Sequence, residues 1–197
     1  MSTKYKATEI TQTYFITMTT VGWIDIFTRL NQKYIIINAL KYCQENKGLT
    51  IFAYCLMHSH LHLLCRADAN ISLAEIMRDF KKYTSKKNHS YNYRRTGEQK
   101  RVVIKLFQKN CEHLSRKQGY KVWQDGYHAE EVFSNKWIKE KINYIHQNPV
   151  KERIVTESEN YYFSSARNYA DLDSALDIEV TLWDKMKSRI TNPRHRG

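Results

Sequence analysis

Proline is nearly missing from this chain, with two in 197 residues. Disordered and low-complexity tails are richer in it, and with 42% hydrophobic residues the composition describes a folded domain. The length suffices for one domain and a short appendage, with a core that needs no disulfides. The four cysteines, Cys43, Cys55, Cys65 and Cys111, include no C-x-x-C pair. The opening MSTKYKATEI is polar, with no secretory signal, so the cysteines are read as reduced, mostly buried thiols of a cytoplasmic protein. No apolar run approaches membrane-spanning length, which predicts no membrane partner. Acidic residues are in short supply: 20 against 32 Lys and Arg, for a net charge of +12. That excess suits an anionic partner such as nucleic acid, although a merely soluble basic protein satisfies it too. Tyrosine is plentiful, at 14. Aromatics among basic residues suit unpaired bases, and ordinary packing accounts for many of them.

Residues 11–18 alternate and are β-branched or aromatic, which predicts a strand. Residues 29–46 predict a helix with Ile35, Ala39, Leu40, Tyr42 and Cys43 on its stripe, stopped by Asn46 and Gly48. Residues 50–66 read as two strands broken near His58 and Ser59. Ile51, Ala53 and Cys55 share a face of the first, and Leu61, Leu63 and Cys65 share a face of the second. Ser72 and Glu75 form a capping box opening a second helix with the stripe Leu73, Ile76, Met77 and Phe80. Residues 89–120 read as a long basic loop or insertion, with a short element at 102–107. After the turn Asp125-Gly126 come a short extended piece, EEVF, and a helix over 135–147. Ser134 caps that helix and Asn148-Pro149 ends it. A short helix falls within 161–170, and the tail from about 175 reads as frayed. The order predicts an α+β fold: a ferredoxin-like (RRM-like) antiparallel sheet with helices packed on one face. Residues 1–175 form its single domain and 176–197 a flexible extension.

The most chemical stretch is His58-Ser59-His60-Leu61-His62. On a strand, His60 and His62 point the same way while Leu61 and Leu63 enter the core. Neutral imidazoles side by side can converge on one metal ion. An isolated H-x-H is more often a pair of surface histidines, but this pair interrupts a strongly apolar strand. His58 continues the alternation and would complete a three-histidine zinc site, yet it falls at the expected turn. Farther on, Ile138, Ile142 and Ile145 form a helical stripe, and Tyr144 and Asn148 lie one turn apart on a neighbouring flank. An interface tyrosine and a helix-stopping asparagine explain that spacing equally well. His146 points away from Tyr144.

Taken together these segments resemble the HUH single-tyrosine transposases, specifically the IS200-like and REP-associated branch. His60-Leu61-His62, preceded by Ala53-Tyr54-Cys55-Leu56-Met57, is similar to the H-U-H signature. Tyr144-Ile145-His146-Gln147-Asn148-Pro149-Val150 resembles the Y-I-x-x-N-P-V block that carries the family nucleophile. The segments 79–87 and 162–167 look familial too, so the resemblance spans roughly residues 10–172. His58-Ser59 departs from the family's frequent Pro-Asn or Thr-Asn.

The resemblance implies a metal-assisted enzyme that cleaves and rejoins single-stranded or hairpin DNA through a 5′-phosphotyrosine. Tyr144 would be the nucleophile, and His60, His62 and Asn148 the ligands of Mg²⁺ or Mn²⁺. It also implies frequent homodimers and no nucleotide cofactor, in a cytoplasmic protein that joins the nucleoid when bound to DNA. Arg78, Lys81, Lys82, Lys86 and Lys87 are the expected phosphate contacts, against the alternative of a solvated basic helix face. Trp123, Tyr127 and His128 would stack on a flipped base or simply pack. Two rivals stay open: a zinc hydrolase using His58, His60 and His62, and a non-catalytic nucleic-acid-binding module.

Overall fold

The structure, a computed structural model, describes residues 12–68, 70–93, 105, 108–109 and 121–180. The expected element at 102–107, most of the 89–120 insertion and the tail beyond 180 lie outside the described residues.

The chain runs β1 (Tyr14–Thr19), a 3-10 turn (Val21–Trp23), α1 (Leu30–Lys47), β2 (Leu49–Leu56), β3 (His60–Ala67), α2 (Leu73–Tyr93), β4 (His128–Glu131) and α3 (Asn135–Lys151). A second 3-10 turn (Ser158–Asn160) and a short α4 (Ala166–Tyr169) follow. The strands pair antiparallel in the order β2-β3-β1-β4. This is the βαββαβ ferredoxin-like sheet the sequence predicts, with α3 added behind its last strand.

Local chemistry accounts for the boundaries. α1 ends where Gly48 adopts φ +61 and its N–H caps the Cys43 carbonyl, a conformation that costs glycine nothing. A Cβ at Gly48 would also meet the Asp68 side chain at 2.7 Å. The capping box forms: the Glu75 N–H donates to Ser72 Oγ at 3.2 Å, and the Ser72 N–H to Glu75 Oε2 at 3.4 Å. Trp137 N–H donates to Ser134 Oγ at the start of α3.

Four details differ from the sequence reading. The buried stripe of α1 is Ile36, Ile37, Ala39, Leu40 and Cys43, while Tyr42 faces outward; in a run of three isoleucines, periodicity alone sets the phase poorly. A bulge in β2 shifts the register between Ile51 and Ala53. Ile51 therefore shares the Cys65 face, while Ala53 and Cys55 share the face of Leu64 and His62. α2 continues to Tyr93, five residues into the stretch read as loop.

The fourth difference bears on the site. α3 does not stop at Asn148 but runs through Pro149 to Lys151. Proline removes one backbone donor from the helix and disfavours helical conformation before it. The extra turn is held by Glu152 N–H donating to the Asn148 carbonyl at 3.0 Å and Ile154 N–H to the Pro149 carbonyl at 2.9 Å. Both Asn148 and Pro149 are buried, so packing decides the outcome.

Residues paired across the sheet share a face. Thr17, Thr19, His60, His62 and Cys55 thus lie on one side, and Met18, Leu61 and Leu63 on the other. α1 and α2 pack together on the Leu61–Leu63 side, as expected. α3 crosses the histidine side over β2 and β3. Both faces of β3 are therefore covered, and seven of its eight residues are buried. Residues 163–165 cover the outer edge of β2 through a Cys55–Ser164 bridge. Leu176 is buried, and Glu179 N–H donates to the Ile51 carbonyl.

Candidate active site

β3 presents His60 and His62 on one face, with ring centroids 4.8 Å apart. Both are buried, at 6% and 4% exposure. The Nδ1 of each is engaged by a hydroxyl: His62 with Thr17 Oγ1 at 2.9 Å, His60 with Ser59 Oγ at 3.3 Å. Phe15, two residues along β1 from Thr17, stacks on His62 at 5.6 Å with its plane tilted 19°. This arrangement fixes the rings and leaves each Nε2 for another partner. Burial, with the neighbouring imidazole second, pushes the His62 pKa down to about 3. Burial lowers His60 as well, against the opposing pull of Glu152. Both rings are neutral at physiological pH, the form a metal requires.

α3 brings the remaining residues. Tyr144 lies 5.4 Å from His62 and 5.7 Å from Phe15, ring to ring. It is 41% exposed, so a large substrate can reach it. Asn148, one turn on, is buried and hydrogen-bonds the His60 ring. The rotation of α3 is set from its other side. His146 Nε2 meets Ser165 Oγ at 2.8 Å, and that oxygen accepts the Tyr54 N–H at 2.9 Å. His146 thus points away from Tyr144, as expected, and pins the helix to β2.

Three residues at the site were missed. Glu152 Oε1 stands 4.0 Å from His60 Nε2. The Lys151 ammonium lies 5.1 Å from the Tyr144 ring centroid. Trp23 sets its ring 5.8 Å from His60. Glu152 was legible: Tyr144, Asn148 and Glu152 repeat every four residues, but ending the helix at Asn148 hid the stripe. Trp23, in a turn far from the histidines along the chain, gave no signal.

The donor set is one that suits a divalent cation. Two neutral imidazoles and an amide meet there, with Asn148 turning its side chain to His60 and the Glu152 carboxylate 4.0 Å from the His60 ring. Full burial drives the pKa of Cys55, opposite His62, strongly upward. The three-histidine zinc site does not form. His58 sits in the turn before β3, where its carbonyl accepts the Phe27 N–H, and no three His, Cys, Asp or Glu among the described residues cluster as metal ligands.

The expected DNA contacts divide. Lys82, Lys86 and Lys87 are exposed on α2, and Lys87 lies 5.7 Å from the Tyr83 ring centroid. Arg78 Nε donates to Asp79 Oδ1 at 3.2 Å. Lys81 turns inward instead: its ammonium donates to the carbonyls of Gln124 and Gly126, and burial lowers its pKa to about 8. Trp123 offers no face to a base. It is 2% exposed, donates Nε1–H to Thr84 Oγ1 at 2.9 Å and packs on Phe27 and Phe80. Tyr127 packs against the core. His128 is exposed at the start of β4, across from Thr17.

Comparison with known proteins bears on the fold. Residues 13–101, a little under half the chain, match the family model described as "Transposase IS200 like". The fold is similar to that of a REP-associated tyrosine transposase bound to a REP hairpin, with a TM-score of 0.63 and 17% identity over 92% of this chain and 94% of that one. A crystal structure from Deinococcus radiodurans R1 aligns with a TM-score of 0.44 and 15% identity, over 73% of this chain and 95% of that one. No curated protein matches the sequence. No helix among the described residues is long and apolar enough to cross a membrane.

Proposed function

We propose that this chain is an IS200-like transposase that cleaves and rejoins single-stranded DNA at or near hairpins, with Tyr144 as nucleophile. The observation that carries the reading is the convergence of Tyr144, His60, His62 and Asn148 on one face within one chain. His60, His62 and Asn148 would hold Mg²⁺ or Mn²⁺, with Glu152 beside them, and the bound ion would polarise the scissile phosphate. Thr17 and Ser59 hold the two imidazoles in place. His146, through Ser165, keeps Tyr144 facing them.

The Tyr144 phenol gives up its proton as its oxygen attacks the phosphorus, forming a P–O bond. The bond to the 3′ oxygen breaks, and that oxygen leaves with the electron pair and takes up a proton. The products are a 5′-phosphotyrosine and a free 3′-OH. Attack by the 3′-OH of another strand reverses the exchange, needs no ATP and frees Tyr144. The Lys151 ammonium, over the Tyr144 ring, favours the negative charge of an incoming phosphate. The exposed Lys82, Lys86 and Lys87 contact phosphates farther along the DNA.

The test uses labelled single-stranded oligonucleotides tiling the flanks of the gene, incubated with protein and Mn²⁺ and run on a denaturing gel. A protease-sensitive shifted band that vanishes with EDTA and with Tyr144→Phe is expected. Binding to the same hairpins without an adduct would overturn the proposal.

A further inference from the structure

The turn Val21–Trp23 combines two features that rarely meet at one residue. Trp23 has φ +55 directly after Gly22 at φ +61, a left-handed conformation that bulky residues seldom adopt. It also leaves its indole 62% exposed instead of burying it. The conformation is imposed from several sides. Thr20 N–H donates to the Ser59 carbonyl, and Val21 N–H to the Val122 carbonyl. Thr20 Oγ1 donates to the Ile24 carbonyl, and Gln124 Nε2 to the Thr20 carbonyl. Backbone strain held this firmly marks sites where a side chain must be presented in one place. The place is the rim of the histidine pair: the Trp23 ring lies 5.8 Å from His60 at an interplanar angle of 70°. Its edge contact with His60 leaves indole surface open to solvent.

We propose that Trp23 is a stacking platform for one unpaired nucleobase of the single strand, next to the phosphate held at His60 and His62. This rests on the reading of the site as one for single-stranded DNA. A flat, exposed indole beside a phosphate site suits a base regardless of its identity, because every base offers a face to stack on. The platform fixes the strand at the His60 end of the pair, whereas Tyr144 lies against His62. It acts on substrate placement without touching the reacting atoms.

The test measures binding in the Tyr144→Phe background, so that no cleavage intervenes. Fluorescence anisotropy of hairpin-bearing oligonucleotides from the gene's flanks is compared for Trp23, Trp23→Ala and Trp23→Phe proteins. Trp23→Ala is expected to weaken binding about five- to 150-fold, and Trp23→Phe to restore most of it. Removing the base at one single-stranded position should abolish the difference between Trp23 and Trp23→Ala, while abasic sites elsewhere preserve it. Mn²⁺ affinity should be the same in all three. Equal binding by Trp23 and Trp23→Ala, or a loss accompanied by altered Mn²⁺ affinity, overturns the platform. An adduct formed normally without any Trp23 effect sinks this inference alone. A Trp23 effect without an adduct in the Tyr144 protein sinks the transposase reading alone, and no DNA binding by any of the proteins sinks both.

Discussion

Replacing Thr17 with valine removes one oxygen and keeps the branched shape a strand favours. That oxygen meets His62 Nδ1 at 2.9 Å. With the proton on Nδ1 donated to Thr17, the Nε2 lone pair is free for a metal. Without the acceptor, the ring loses its preference for that tautomer, and a buried ring nitrogen is left unpaired. An unpaired buried donor costs about 1–3 kcal/mol of folding stability. Loss of a partner that orients a metal-bound histidine weakens metal affinity about 10–100-fold, or about 1.4–2.8 kcal/mol. Phe15 still stacks on the ring, so the lower end of both ranges is expected. The assay is a Mn²⁺ titration followed by the free-ion paramagnetic resonance signal, with His62→Ala as the variant that loses binding. Urea denaturation checks the fold in parallel. Mn²⁺ affinity in Thr17→Val equal to that of the parent would refute the reasoning that the hydroxyl presets the ligand.

Three further outcomes follow from the same geometry. His62 and His146 are held neutral down to about pH 3 and 4 by burial, whereas in the unfolded chain they titrate near 6.5. The unfolded state therefore binds more protons as pH falls through 6.5, and stability declines by about 2 kcal/mol per histidine between pH 7 and 5; an unchanged urea midpoint across that range would contradict this. Lys81→Met should destabilise the protein by about 1–2 kcal/mol through the lost carbonyl contacts and leave the salt dependence of DNA binding unchanged. Lys82→Met should do the reverse, with the salt slope shallower by about one unit, read from anisotropy titrations over a salt series. Because the site is built within one chain, a mixture of His60→Ala and Tyr144→Phe proteins should form no more adduct than either alone; restored activity would place the two halves on different subunits.

The fold, and the juxtaposition of Tyr144 and Asn148 with the histidine pair, were legible in the sequence for different reasons. β3 could be read because its apolar alternation is broken by two histidines on one face, and α1 because Gly48 ends it unmistakably. The bulge in β2 was not legible: Ile51, Ala53 and Cys55 alternate like any strand, and the extra residue shows only in the pairing with β3. The course of α3 through Pro149 was hidden because proline acts locally, whereas burial of Asn148 and Pro149 comes from the rest of the fold. Trp123 and Lys81 looked like DNA contacts in a loop and on a basic helix. They in fact meet each other's elements, Trp123 on Thr84 of α2 and Lys81 on the loop carbonyls, a contact across some forty residues that no local pattern encodes. His146 and Ser165 are linked across 19 residues, and only their pairing reveals how Tyr144 is aimed.

The most direct test of the central claim is mass mapping of the covalent adduct. Protein is allowed to react with a cleavable hairpin oligonucleotide and Mn²⁺, then digested with nuclease and trypsin, and the nucleotide-bearing peptide is sequenced. The account predicts a nucleotide joined through its 5′ phosphate to Tyr144 and to no other tyrosine. A nucleotide on a different residue, or cleavage that proceeds with Tyr144 unmodified, would contradict it.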